Sequence, residues 1–244
     1  MVEILTNNPL NSITTLAFDL FGTVLDLSGS IIPEIDIFLK KKKTKISGNN
    51  LWMEWRSRQR IEQYQDTILM MGHSGYLTVC KYALIYVLRA NKIAFYNSEI
   101  EDFMRVYQNL NPFKDAVEGL NKLKGCYKLV GLSNGEPWYL DHLVKNRIKF
   151  KFNAVISVEE AGFFKPHPGV YRKASKILNT EPWRIMMVAS HSFDLLGARA
   201  CGYRAAYVNR YDLPTEESIY QPDLIFKDFY QLSDFLLNLN PTRT

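Results

Sequence analysis

Thr15-Leu16-Ala17-Phe18-Asp19-Leu20-Phe21-Gly22-Thr23 is the stretch whose reading decides the fold. A short apolar run ends in a carboxylate, and a glycine and a hydroxyl residue follow within four positions. The run is too short for a helix and fits a buried strand. An ionisable residue at the end of such a strand costs desolvation unless it is paired or used. Gly22 permits a sharp turn close to a ligand, and Thr23 offers a hydroxyl. The plainer reading is that Asp19 only caps that turn.

Outward from this stretch, short apolar runs alternate with amphipathic helical stretches. The runs are 128–132, 153–156, 185–189, 205–208 and 224–225. Helices are expected after Pro112, with Phe113, Ala116, Val117, Leu120 and Leu123 on one face, from Pro168 to Ile177, and from near Asp194; a further helix closes the chain. This rhythm is the signature of a parallel α/β sheet. Asp19, Ser133 and Ser190 each stand at or just past the end of an apolar run. In open α/β sheets that edge is where ligands bind.

The segment 28–110 breaks the rhythm with three helical stretches, 51–71, 76–88 and 100–110. The expected fold class is therefore α/β, a Rossmann-like parallel sheet core with an inserted helical cap domain. The core is assigned to 1–27 and 111–244 and the cap to 28–110, with hinges at 27–30 and 111–112. Trp52, Trp55, Tyr76, Tyr82 and Tyr86 can line a substrate pocket or pack the cap against the core.

A chain of 244 residues, 47% hydrophobic and 23% charged, reads as a globule. The net charge of +5 is too diffuse to argue for nucleic acid. Its densest basic run, Lys40 to Lys43 with Lys45, has no interleaved aromatics and reads as a solvated loop before Gly48. Cys80, Cys126 and Cys201 are odd in number and far apart, which indicates neither a disulfide framework nor a zinc site. Cys126 and Cys201 read as small core fillers. No apolar run reaches membrane-span length, and nothing at the N-terminus looks like a signal peptide, so a cytoplasmic protein is expected.

Four stretches together resemble the haloacid dehalogenase superfamily. Phe18-Asp19-Leu20-Phe21-Gly22-Thr23-Val24-Leu25 is similar to its first motif, whose leading Asp is a nucleophile. Leu132-Ser133-Asn134-Gly135, Lys165-Pro166-His167-Pro168 with Val170-Tyr171, and Ala189-Ser190-His191-Ser192-Phe193-Asp194 with Gly197 resemble the next three, in order. Pro112-Phe113 and Val208-Asn209-Arg210 also fit, and the match runs over 15–235. Within the superfamily the chain looks most like the type II 2-haloacid dehalogenases. Its phosphatases carry a second Asp two positions after the nucleophile to protonate an alkoxide, and a further fourth-motif acid to hold magnesium. This chain has Phe21 at the first position, and Ser190 and His191 near the second. A halide leaves without a proton, and a haloacid monoanion needs less charge neutralisation than a phosphate.

The resemblance implies hydrolytic dehalogenation of short 2-haloacids to 2-hydroxyacids, without metal or other cofactor. Asp19 would attack the halogen-bearing carbon with inversion and form an ester. Asp194 would orient or deprotonate the water that hydrolyses it. Lys165 would keep Asp19 ionised. Arg56, in Trp55-Arg56-Ser57-Arg58-Gln59, would cradle the halide, although Arg58 and Arg60 nearby also suit a solvated helix face. Ser133 would bind the substrate carboxylate and Asn134 the halide. Thr23 and the Leu20 and Phe21 amides would stabilise the ester oxyanion. Phe193 would wall the pocket, and Tyr171 would stand near Lys165. The chain departs from the dehalogenases at Ala189 and His191, where they carry serine and asparagine, and at Phe21, where tyrosine is usual. His191 can bond the lysine or the ester, act as a general base, or merely pair with a backbone carbonyl. The expected partner is a small haloacid, with no nucleic acid and no membrane, and the resemblance implies a homodimer. A small-molecule phosphatase of the same superfamily and a non-catalytic family member are the alternatives.

Overall fold

The computed structural model describes residues 9–239; the outer ends of the core, 1–8 and 240–244, lie outside the described residues. Strand β1 (Thr15–Phe18) leads into β2 (Leu25–Asp26), and four helices follow: α1 (Leu27–Lys42), α2 (Gly48–Ile68), α3 (Tyr76–Ala90) and α4 (Asn97–Met104). The chain then returns through β3 (Asn111–Pro112), α5 (Lys114–Leu123), β4 (Lys128–Ser133), α6 (Pro137–Leu143) and β5 (Ala154–Ser157). It continues as α7 (Pro168–Leu178), β6 (Ile185–Ala189), α8 (Ser192–Ala200), β7 (Arg204–Val208), β8 (Leu224–Phe226) and α9 (Phe229–Leu239).

The main sheet has six parallel strands in the order β5-β4-β1-β6-β7-β8. β1 is central, and its four residues are all buried. A strand covered on both faces must be apolar throughout, which is why it reads as a run and not an alternation. β4 and β6 are its neighbours, so the residues after β1, β4 and β6 meet at one edge of the sheet. The chain leaves β1 toward one side of the sheet and later crosses to the other, and the crevice of an open α/β sheet lies at that reversal. Helix α5 packs on α9, where Gly119 lets Phe229 approach: a Cβ there would meet the Phe229 Cβ at 2.9 Å.

The helical insert leaves and rejoins the core through β2 and β3, which pair antiparallel, Leu25 with Pro112 and Asp26 with Asn111. Both hinge segments thus run side by side. Residues 27–30 are nevertheless the first turn of α1 and not a free linker. Asp26 caps that helix by accepting from the Gly29 amide at 2.8 Å. Ser28, Gly29, Ser30 and Pro33 argue locally against a helix. Burial of Leu27, Ile31, Ile35 and Leu39, one turn apart, overrides them. Lys40, Lys41 and Lys42 form its last turn, where cations complement the helix dipole, and Lys42 pairs with Glu99 at 2.6 Å. The run read as a loop is therefore helical as far as Lys42.

Trp52 and Trp55 are buried, while Tyr82 and Tyr86 point to solvent. The fully buried cysteine is Cys80; Cys126 and Cys201 are only partly buried against the core. No helix among the described residues is long and apolar enough to cross a membrane.

Candidate active site

Asp19 follows β1 directly, and its loop is tight. The Leu20 carbonyl accepts from the amides of Thr23, Val24 and Leu25 at 3.4, 3.1 and 2.8 Å. That turn leaves the Leu20 and Phe21 amides without a backbone acceptor among the described residues. Gly22 has φ +83°, and a Cβ there would meet the His191 ring at 2.6 Å. The position needs glycine for conformation and for space. Arg210 props the loop from below: its Nε donates to the Thr23 carbonyl at 3.2 Å, and its Nη2 pairs with Asp115 at 2.9 Å.

Thr23 Oγ1 donates to Asp19 Oδ2 at 2.8 Å and accepts from the Ser190 amide at 2.9 Å. Lys165 Nζ donates to Asp19 Oδ1 at 3.3 Å, to the Leu132 carbonyl at 2.6 Å and to Asp194 Oδ2 at 2.7 Å. All three of its protons are engaged. Tyr171 donates its hydroxyl to Asp194 Oδ1 at 2.7 Å. One ammonium therefore serves two buried carboxylates. Burial raises the Asp19 carboxyl, but Lys165, His191 and Thr23 outweigh it and hold the group at about 2. For Asp194 burial wins over the pull of Lys165, the negative charge of Asp19 adds to it, and the group is pushed up to about 6. The two titrate as a coupled pair. Asp19 is the member held as the anion, as a nucleophile requires.

Asp19 faces a cavity of about 30 Å³. The core contributes Phe21, Asn134, Lys165, His191, Phe193 and Asp194 to its walls. The cap contributes Arg56, Arg60, Gln63 and Tyr76. Neither Arg56 nor Arg60 lies within ion-pair distance of an acid among the described residues. Arg56 donates to Gln59 Oε1 at 2.5 Å and lies 5.5 Å from the Trp52 ring. Arg60 sits 4.8 Å from the Phe193 ring. Phe21 is stacked on Tyr76, with centroids 4.1 Å apart and planes 4° apart, so an aromatic pair closes the seam between cap and core. His73 and Thr67 tie the cap down further: His73 Nε2 lies 2.9 Å from the Asn134 carbonyl, and the Phe164 amide donates to Thr67 Oγ1 at 3.1 Å.

Of the residues singled out in the sequence, nine line or directly face the cavity: Asp19, Phe21, Arg56, Tyr76, Asn134, Lys165, His191, Phe193 and Asp194. Thr23 and Tyr171 stand behind them, bonded to the two carboxylates. Leu20 and Ser133 do not line the cavity. The Ser133 hydroxyl is buried with no partner. Asn134 uses Oδ1 to accept from the Lys165 amide at 3.0 Å, which turns its amide nitrogen free of that bond. Gln63 is not singled out in the sequence and Arg60 reads there only with a solvated helix face, yet their spacing from Arg56, one and two turns along α2, is the signal that finds them.

This donor set does not fit magnesium. Hard cations take several oxygen ligands. Here the Asp19 oxygens face Lys165 and Thr23, those of Asp194 are taken by Lys165 and Tyr171, and neutral Ser190 and His191 stand beside them.

A haloacid dehalogenase-like hydrolase family model matches residues 13–202. An (S)-2-haloacid dehalogenase of Xanthobacter autotrophicus is 31% identical over 199 residues, 81% of this chain and 76% of the relative. (S)-2-haloacid dehalogenase 4A of Burkholderia cepacia is 28% identical over 209 residues, 85% of this chain and 87% of the relative. The solved structure of the L-2-haloacid dehalogenase from Xanthobacter autotrophicus with chloropropionic acid covalently bound superposes with a TM-score of 0.77. It is 26% identical and covers 92% of this chain and 98% of its own. Sheet order, inserted helices, the ionised Asp19 beside Lys165 and these likenesses agree, and the chain belongs to the haloacid dehalogenase-like hydrolases.

Proposed function

We propose that the protein hydrolyses short 2-haloacids to 2-hydroxyacids through an ester on Asp19, with inversion at the halogen-bearing carbon. One observation carries the reading: an ionised aspartate faces a small cavity whose opposite wall holds an arginine with no carboxylate partner. The Asp19 carboxylate displaces the halide, and Arg56 with the Asn134 amide receives it. A guanidinium is planar, always charged and weakly hydrated, which suits a departing halide. The substrate carboxylate is assigned to the Ser133 hydroxyl, which is buried, has no hydrogen-bond partner among the described residues and stands next in the chain to the cavity-lining Asn134. The Leu20 and Phe21 amides and Thr23 stabilise the oxyanion that forms when water attacks the ester. Asp194 and Tyr171 hold Lys165 against Asp19, and Phe193 excludes water.

A phosphatase is disfavoured by Phe21, which has no proton to give a leaving alkoxide. The cap, 28–110, opens on the β2–β3 pair to admit substrate, because about 30 Å³ holds little more than one water. The three free thiols suit a reducing, cytoplasmic compartment. The homodimer implied by the family places the exposed run Ile68, Leu69, Met70 and Met71 at its interface, and sedimentation of the Met70→Glu variant as a monomer tests it. The test of the reaction is a single turnover of L-2-chloropropionate in oxygen-18 water. The label is expected in the Asp19 carboxylate and absent from the first product. Label in the first product means direct attack by water and defeats the ester mechanism.

A further inference from the structure

We propose that His191 is the base that takes the proton from the water hydrolysing the Asp19 ester, a role that rests on the dehalogenase reading. Three observations converge on it. His191 Nδ1 lies 3.6 Å from Asp19 Oδ2, beyond a firm hydrogen bond, so the ring is next to the ester carbon without being tied to it. The ring is mostly buried, lines the same cavity, and has Gly22, Phe193 and Tyr211 packed around it, the last two with centroids 5.7 and 6.0 Å away. Asp194, the other basic group of the cavity, already accepts from Lys165 on one carboxylate oxygen and from Tyr171 on the other.

The charges around the ring favour this timing. Burial lowers the His191 imidazole below its usual range, Asp19 pulls it upward, and Arg56 and Arg60 push it down. Esterification removes the Asp19 charge and leaves the two arginines. The imidazole is then least basic toward bulk protons and is neutral, the form that can accept. Proton and electron counts close. The water oxygen bonds to the Asp19 carboxyl carbon, and its proton passes to the free ring nitrogen. The tetrahedral oxyanion collapses with cleavage of the bond to the substrate oxygen, which takes the proton back from the imidazolium. A 2-hydroxyacid leaves, Asp19 is left as a carboxyl group carrying one water oxygen, and release of the second water proton to solvent returns it to the carboxylate.

The experiment is rapid mixing of L-2-chloropropionate with the wild-type chain and with His191→Asn and His191→Ala, following chloride and the mass of the intact protein. Both variants are expected to release one chloride per site at the wild-type rate. Turnover then slows on the order of 10²-fold or more, and the ester accumulates as a mass adduct. The burst itself certifies a folded site. Added imidazole is expected to restore ester hydrolysis in His191→Ala, which a purely structural role would not allow. Steady turnover of both variants at the wild-type rate without adduct overturns the assignment. So does a variant with native thermal unfolding and no chloride burst, since His191 would then act before the ester forms. Absence of chloride release from the wild-type chain defeats the dehalogenase reading as well.

Discussion

At the residue scale the site is governed by how one lysine is shared. Lys165 holds Asp19 as the anion while burial keeps Asp194 up at about 6. Asp19→Asn removes the nucleophile while keeping shape and hydrogen-bonding capacity. Its turnover is expected to fall on the order of 10⁴-fold or more, with no chloride burst. The pair also predicts a signature in stability. Asp194 has a folded-state value above its ordinary 3.8, so its proton stabilises the fold at low pH, and that stabilisation is lost as pH rises from 3.8 through about 6. Asp19 runs the other way. Its folded value lies below 3.8, and its contribution is present above that and lost as pH falls toward about 2. Denaturant titrations of the wild type and Asp194→Asn between about pH 4 and about pH 7 separate the two, since only the Asp194 window is deleted. The stability of the wild type relative to the variant is expected to fall across that interval; a constant difference contradicts the assignment.

At the element scale, α2 is the part that distinguishes this pocket. Its turns put Arg56, Arg60 and Gln63 on one face, above Asp19. Two like charges one turn apart cost a few tenths of a kcal/mol in a helix unless an anion lies between or near them. Arg56→Lys keeps the charge and loses the planar fork. It is expected to slow chloride release about 10²-fold, the scale of removing one preorganised donor. Rates near wild type would return Arg56 to a solvated role. Arg60→Gln is expected to raise KM for L-2-chloropropionate about tenfold, equal to about 1.4 kcal/mol of binding, with kcat changed far less. A fall in kcat at unchanged KM would instead place Arg60 in the chemical step.

At the scale of the whole molecule, cap and core meet over the nucleophile and divide the labour. The core supplies Asp19 at the end of β1, Lys165 between β5 and α7 and Asp194 in α8, and the cap supplies cations and an aromatic lid. The combination predicts the reaction class. L-2-chloropropionate hydrolysis is expected to survive EDTA, with little release of p-nitrophenol from its phosphate ester even with magnesium. Phe21 deprives phosphate esters of general-acid help, a loss of about 10²–10⁴-fold. Phosphate release that requires magnesium, with no chloride release, would overturn the class and leave the family.

The succession of strands along the chain, the strand-end placement of Asp19, Ser133 and Ser190, and the helical insert are legible in the sequence because period and punctuation are local properties. Buried parallel strands must be apolar throughout, and glycine or proline must mark where they stop. The chemistry of Asp19 is legible for a different reason, since it ends a strand that the same pattern locates, while the role of Lys165 comes with the resemblance to the haloacid dehalogenase superfamily. Tertiary structure alone decides the rest. Helix α1 forms over serine, glycine and proline because Leu27, Ile31, Ile35 and Leu39 find a core that no local propensity announces. Tyr76 meets Phe21 although 55 positions separate them, so whether an aromatic of the insert packs or lines the pocket is set by how the cap sits. Ser133 stands beside Asn134 in the chain, yet only Asn134 lines the closed cavity, a distinction that no local pattern carries. Which carboxylate Lys165 holds ionised is likewise a three-dimensional result, because burial and distance, and not residue type, separate Asp19 from Asp194.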